Sequence, residues 1–301
     1  MVRLMSTFCG RINGCDWISL DHFGGENLSS IVFFLSHCHQ DHMKGLADDA
    51  FYAHLCEHNC FLYCHPVTKV LLENSPKYTR LLKYIKTKDI DQKFRVTDSL
   101  DEVASIQQPA DQSTRGVNVT FIDAQHCPGS VMVLLEFDDG KRVLYTGDFR
   151  FVKDDWFSCK ALRDPKTKSG FKRIDELYFD STFCRQGSRV FPSRKRSGAL
   201  FVRMVKEWLD ARTHNKVLIW SSSYGQEFLF RKIYEELQMK VHVTMQKFQI
   251  PEIASFVTCV ASSTRVHACA TVPDVEELEF EEIDQVIVPS CPNSSNNRQK
   301  E

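Results

Sequence analysis

Apolar side chains recur along this chain in two periods. Residues 31–35 read IVFFL, five consecutive apolar side chains rich in β-branched and aromatic types, and they predict a strand buried on both faces. Phe61, Leu62 and Tyr63 predict the middle of a short strand. Val117, Val119 and Phe121 alternate with polar neighbours, the period of two that marks another. Two further strands, 131–137 and 142–146, flank Asp138, Asp139 and Gly140, whose Asp-Gly pair signals a hairpin turn, and 174–180 predicts one more. Residues 67–75 and 78–85 carry helical spacing and predict a helix pair over one sheet face. Beyond residue 180 helices and strands alternate. Ser193 reads as the N-cap of a helix whose Leu200, Met204 and Trp208, with Phe201, Val205 and Leu209 beside them, are expected in the core. Strands are expected at 216–220, 241–243 and 265–268, and helices at 224–237 and 251–257. The fold class is α/β.

Polar chemistry appears where strands end. Ser36, His37, Cys38, His39, Gln40, Asp41 and His42 directly follow the first apolar run. Ligands gather at the carboxyl ends of strands in sheet-and-helix folds, so three imidazoles and a carboxylate there are placed to converge on a metal. His37 and His39 point the same way from extended backbone. Asp41 and His42, past the bend, reach a second cation, the arrangement of a two-metal hydrolytic centre. His126 also sits just past a strand, and Pro128 and Gly129 allow a tight turn that exposes its imidazole. Gly147 lets the backbone bend so that Asp148 projects at the same rim, where a carboxylate can bridge two cations. Asp180 ends the next strand. Asp21, taken alone, reads as an ordinary turn residue.

Composition narrows the class. A chain of 301 residues with 43% apolar side chains buries a sizeable core, as two domains or one large one. No apolar run approaches a membrane span, and the opening segment lacks the unbroken apolar stretch of a secretory signal, so a cytosolic or nuclear protein without a membrane partner is expected. Twelve scattered cysteines in a chain with a real core point to reduced thiols and metal ligands, not to a disulfide framework. Residues 53–66 crowd His54, Cys56, His58, Cys60, Cys64 and His65 together, but without a C-x-x-C pair they read as surface loop plus strand. The formal charge of −1 gives no global field, so nucleic-acid binding must rest on a local basic patch. Arg185, Arg189, Arg194, Lys195 and Arg196 form such a cluster, read either as a solvated face or as phosphate contacts. His267 and Cys269 share one face of a strand. With His242 upstream and Cys291 downstream they compose a closed N₂S₂ set for a structural zinc; alternatively His267 belongs to the active centre.

HCHQDH preceded by Asp21, His126 in HCPGS, Asp148 in TGDFR and Asp180 in YFDSTFC together resemble the metallo-β-lactamase family, and more narrowly its β-CASP branch, the DNA cross-link-repair nucleases. The resemblance runs from about residue 18 to 291. It implies an αββα sandwich at 1–170, an inserted β-CASP cap at 171–288 that is incomplete, and a polar tail at 289–301. It implies zinc (Zn2+) held first by His37, His39, His126 and Asp148 and second by Asp41, His42 and the shared Asp148. Asp21 would orient the motif from behind, and Asp180 would be the first cap motif at the metal centre. The activity implied is a DNA endonuclease and 5′-3′ exonuclease cutting hairpins and overhangs in non-homologous end joining, in the nucleus, with the DNA-dependent protein kinase and end-joining factors as partners. Two departures stand out. Gln226 replaces a lysine that several repair relatives carry, which places a terminal-phosphate pocket in question. The family's last histidine has no counterpart in the polar tail, so a closing segment is expected to be missing. Two other readings follow from these departures: a truncated, non-catalytic zinc-binding form, or a β-CASP RNA-processing nuclease.

Overall fold

A computed structural model describes residues 8–99, 115–184, 192–220, 224–269 and 286–287. The chain divides into two compact units, residues 1–180 and 181–301.

The first unit is built on two sheets. β1 (Ile18–Leu20), β2 (Val32–Phe34), β3 (Phe61–Cys64) and β4 (Ile85–Thr87) pair in parallel in chain order. Parallel neighbours need crossovers, supplied by α1 (Asp49–His58) and by α2 (Pro66–Glu73) with the 3-10 helix Pro76–Tyr84 behind it. The second sheet runs β5 (Lys93–Thr97), β6 (Gly116–Asp123), β7 (Val131–Phe137), β8 (Arg142–Tyr145) and β9 (Glu176–Tyr178). It is antiparallel except for the last pair. Successive side chains in a strand face opposite ways, and the core follows from that rule. Phe34, Leu20 and Ile18 turn inward onto Val119, Phe121, Val133 and Tyr145 of the second sheet. Phe33 and Leu62 turn outward under Phe51 and Leu55 of α1 and Leu72 of α2. On the far side, Met132, Leu134 and Leu144 pack against Cys159 and Leu162, just after α3 (Lys153–Ser158). The layers are therefore helix, sheet, sheet, helix.

Several expectations differ in detail. Residues 53–58 are not loop but the end of α1, closed by Asn59 in the left-handed region (φ 49°). Residues 174–180 end in β9, which joins the first unit's sheet through its parallel register with β8.

The second unit holds a parallel sheet in the order β12 (Val257–Thr258), β11 (Val241–His242), β13 (Val266–His267), β10 (Val217–Ile219) and β14 (Val286–Ile287), with α4 (Arg194–Ala211), α5 (Glu227–Leu237) and α6 (Met245–Phe248). Ser193 caps α4 as expected, its Oγ accepting from the Arg196 amide at 3.2 Å. The buried stripe of α4 is Phe201, Val202, Val205 and Leu209, whereas Leu200 and Met204 are 49% and 43% exposed. A stripe one residue over covers the sheet, and the parallel series of apolar residues was not the core face. Residues 251–257 form turns and β12 instead of a helix: α6 begins earlier, and Pro251 cannot continue it. Among the described residues no helix is long and apolar enough to cross a membrane.

Candidate metal centre

The centre forms where strands of both sheets of the first unit end. β2 stops at Phe34, and Ser36 to His42 bend across the end of the sandwich, held by the Val131 amide donating to the Ser36 carbonyl at 2.9 Å. Gly147, at φ 49°, brings the segment after β8 against this bend so closely that a Cβ would lie 2.8 Å from Ser36 Oγ. Gly129, at φ 74°, fits against Thr68 in the same way and shapes the loop carrying His126. Ser130 Oγ fixes that loop further by accepting the His126 and Cys127 amides, both at 3.1 Å.

His37, His39, His126 and Asp148 present donor atoms that all lie within 4.8 Å of one another. The His37 ring sits 4.6, 4.2 and 5.0 Å from those of His39, His42 and His126. Burial, then the neighbouring imidazoles of His42, His39 and His126, hold His37 well below the ordinary histidine range, so it is neutral. Its tautomer follows from its partners. Ser36 Oγ gives its single proton to Asp21 and lies 2.9 Å from His37 Nδ1, so it accepts from Nδ1–H. The lone pair is then on Nε2, which is fully buried without a hydrogen-bond partner and faces Asp148 Oδ2 at 3.8 Å. A buried, unpartnered lone pair beside a carboxylate fits a metal ion, and the donor set suits zinc.

Asp148 turns a different oxygen to each side. Oδ2 lies 3.4 Å from His126 Nε2, and Oδ1 lies 3.1 Å from His42 Nε2. Asp41 Oδ2 is 3.8 Å from that same His42 nitrogen. The geometry thus gathers His37, His39, His126 and Asp148 into one donor cluster, whereas Asp41 approaches only through the same His42 nitrogen and joins no donor cluster among the described residues. Burial raises Asp148, but the hydrogen bond and charge of His42 with the other imidazoles outweigh it and hold the carboxyl below its usual range. Burial lowers His42, yet its hydrogen bonds to Asp148 and Asp21 prevail and push it up to about 11. Carboxylates that hold a proton there attract a cation in its place.

Behind the centre, Asp21 is a hub. Its backbone is left-handed, at φ 54°, which aspartate tolerates. Oδ1 accepts the Ser36 amide at 2.7 Å, and Oδ2 accepts His42 Nδ1–H at 2.8 Å, Tyr145 Oη–H at 2.7 Å and the Ser36 hydroxyl. Asp21 with His37 and His42 also has donor atoms within 4.8 Å, but four accepted hydrogen bonds make it an orienting group, not a ligand. Ser36 and Tyr145, to which sequence reasoning assigned no role, complete this network. Burial and Asp21 push the Tyr145 hydroxyl well up, keeping it a donor. The only signal for it was its place two residues before Gly147. Cys38, inside the motif, takes no part: burial and then Asp21 push its thiol up to about 12. Asp180 follows β9, its amide donating to Thr146 Oγ1 at 3.2 Å, and among the described residues it joins no donor cluster.

The other candidates separate. Of residues 53–66, His54 bonds the Ser30 carbonyl at 2.8 Å, Cys56 is exposed and Cys64 is buried, and these donors do not converge. In the second unit, His242 and His267 are register partners with Nδ1 atoms 3.1 Å apart, and Cys269 joins them within 4.8 Å. Burial, then His242 and Lys216, lower His267 to about 4, leaving a neutral donor. Cys291, Arg185 and Arg189 lie outside the described residues. Arg194, Lys195 and Arg196 form the first turn of α4, and the Arg194 guanidinium sits 5.0 Å from the Phe228 ring centroid.

Residues 26–215 match the model of the beta-lactamase superfamily domain, and the chain belongs to that superfamily, with an α/β metallo-β-lactamase fold. Within it the sequence is of the Artemis- and Apollo-like β-CASP kind. It is 38% identical to protein artemis of Mus musculus over 91% of this chain and 37% of that protein, and 37% identical to protein artemis of Homo sapiens over 91% and 38%. It is 30% identical to 5' exonuclease Apollo of Gallus gallus over 88% and 48%. The chain therefore spans less than half the length of these relatives. It is a metallo-β-lactamase nuclease homologue with a His/Asp cluster consistent with a metal site.

Proposed function

We propose that the chain is a zinc-dependent DNA phosphodiesterase of the Artemis kind, cutting hairpins and overhangs during end joining in the nucleus, with the DNA-dependent protein kinase and end-joining factors as partners. The observation that carries the hydrolytic part is the split of Asp148, with Oδ1 toward His42 and Oδ2 toward His126 and His37. That split would let one carboxylate serve two cations. His37, His39, His126 and Asp148 would hold one zinc, and Asp41, His42 and Asp148 the other. Bound zinc supplies Lewis acidity, acidifying a water and offsetting charge that develops on the phosphodiester. The chain's own contribution is orientation. Asp21 fixes His42 so that its Nε2 faces inward, and Ser36 does the same for His37. Asp180, two residues past β9, would serve in the working rim.

Similarity to artemis and to a 5' exonuclease supports DNA as the substrate. The second unit serves as the β-CASP cap, with a structural zinc on His242, His267, Cys269 and Cys291. The cations Arg185, Arg189, Arg194, Lys195 and Arg196 serve as phosphate contacts. Three cations in a first helical turn oppose the helix dipole, so selection for anion contact explains them better than helix stability does.

The test is zinc content by elemental analysis, with cleavage of a labelled DNA hairpin bearing an overhang. His37→Ala with His39→Ala is expected to lose about one zinc per chain and all cleavage. Unchanged zinc content, or cleavage that survives in the double variant, overturns the assignment.

A further inference from the structure

The stretch that leaves the metal centre at Asp148 has a composition unlike the rest of the chain. Residues 150–173 hold eight lysines and arginines against three acids, whereas the whole chain is nearly neutral at −1. Five aromatic residues are interleaved with them or just precede them: Phe149, Phe151, Trp156, Phe157 and Phe171. Four of these form a base. Trp156 meets Phe151 at 4.7 Å and Phe149 at 5.8 Å between ring centroids, and together with Phe171 they pack against Cys159, Leu162 and the outer face of the second sheet.

Phe157 does not sink into that base. Its ring touches Phe171 at 5.5 Å yet remains 54% exposed, beside Val152 at 51%. Single exposed apolar residues are ordinary. Here the exposed ring belongs to a lysine-rich stretch, and the Phe171 ring it touches carries the Arg163 guanidinium at 4.6 Å. Lys153, Lys160, Lys166 and Lys168 are exposed and make no ion pair with any described residue, in contrast to Lys172, which is held by Glu136 at 3.0 Å. The patch is also continuous with the centre. Phe149 follows Asp148 directly, and the Arg150 amide donates to the Ala124 carbonyl at 2.9 Å, two residues before His126. Both ligand-bearing segments thus lead into it.

An exposed aromatic face framed by unpaired cations is what single-stranded nucleic acid requires: a base stacks on the ring while phosphates meet the lysines. A base-paired duplex hides its base faces and uses only the cations. We infer that residues 149–173 form the surface that receives the single-stranded portion of the substrate, with Phe157 stacking on a base and Lys153, Lys160, Lys166 and Lys168 contacting phosphates. The inference rests on the hydrolase reading above and adds to it which strand form is held beside the centre.

The test measures binding of a fluorescent twenty-nucleotide thymidine oligomer and of a blunt duplex by anisotropy, with Asp148→Asn as the common background so that the DNA stays intact. Phe157→Ala is expected to weaken the single strand roughly five- to hundredfold and leave the duplex within about twofold, whereas Phe157→Tyr retains binding. Lys153→Gln with Lys160→Gln is expected to flatten the slope of log affinity against log salt by about 1.4. Melting curves verify that each variant folds. Single-strand binding that ignores Phe157, or equal losses on both DNA forms, overturns the inference and leaves the patch to a protein partner. Cleavage by the Asp148 chain is scored separately. Phe157-dependent binding without cleavage would sink the hydrolase reading alone, and cleavage with Phe157-independent binding would sink this one alone.

Discussion

Replacing Asp21 by asparagine changes one atom and should misdirect the metal centre. The Ser36 amide donates to Oδ1 and can meet only an acceptor, so the carbonyl oxygen of the new side chain must take that position. The NH₂ group then faces Ser36 Oγ, Tyr145 Oη and His42 Nδ1. Its two hydrogens can serve only two of these three neighbours, and it can accept from none of them. His42 Nδ1–H therefore loses its acceptor, and the neutral imidazole that a metal requires is favoured with its proton on Nε2, the nitrogen that faces Asp148 at 3.1 Å. A proton there occupies the lone pair a metal needs. Loss of such an orienting partner lowers metal affinity by roughly 10- to 100-fold, about 1.4–2.7 kcal/mol. The site holding His42 should weaken most; the other keeps His39 and His126 and loses only the Asp21 bond that directs Ser36 toward His37.

The assay is a zinc titration followed by calorimetry, against wild type and Tyr145→Phe. The Asp21→Asn chain should show one site weakened well beyond the other. Tyr145→Phe removes one donor to Asp21 without touching the His42 tautomer, so both sites should stay within a few fold of wild type. Two tight sites in the Asp21→Asn chain would refute the tautomer reasoning. Loss of both sites together with a large fall in melting temperature would show instead that Asp21 holds the fold and not the imidazole.

Gly147→Ala should destabilise by about 1–3 kcal/mol, since its Cβ would sit 2.8 Å from Ser36 Oγ on a left-handed backbone, and it should weaken zinc binding in parallel. Chemical denaturation with and without zinc checks this, and a fully stable, zinc-competent variant would show that the close approach is relaxed in solution. Cys269→Ser should remove one zinc and lower the melting temperature while a hairpin cleavage assay still reports the first centre. Full zinc content in that variant would dismiss the His242, His267 and Cys269 set.

The centre was legible in the sequence because its ligands are local to strand ends, and strand ends are marked by where apolar runs stop. His37 through His42 follow IVFFL directly, and His126 and Asp148 each close a stretch of alternating residues. Asp21 was readable only through family resemblance. Its neighbours are ordinary, and its role depends on Ser36 and Tyr145, which lie 15 and 124 positions away in the chain. Helix faces were harder. Two interleaved apolar stripes on α4 satisfy the same spacing, and tertiary packing selects the one through Phe201, Val205 and Leu209 over that through Leu200 and Met204. The aromatic and basic run at 150–173 was present in the composition, but only the exposure of Phe157 separates a platform from buried packing.

The placement of the centre explains why so few residues suffice to hold it. Asp21 follows β1 and Ser36 follows β2, both from the parallel sheet, while Tyr145 ends β8 of the other sheet and the Val131 amide opens β7. The hydrogen bonds among these four residues are therefore the stitching between two sheets as well as the frame behind two imidazoles. A cation held by His37 and His39 on one sheet and by His126 and Asp148 on the other would cross that same seam. Because these donors come from both sides, metal binding would favour only the closed sandwich, and its free energy would add to the stability of the first unit. The converse holds for a mutation in the seam: it is felt at the metal even when it touches no ligand. The frame and the centre meet at Asp21, which bonds Ser36 and Tyr145 on one side and His42 on the other.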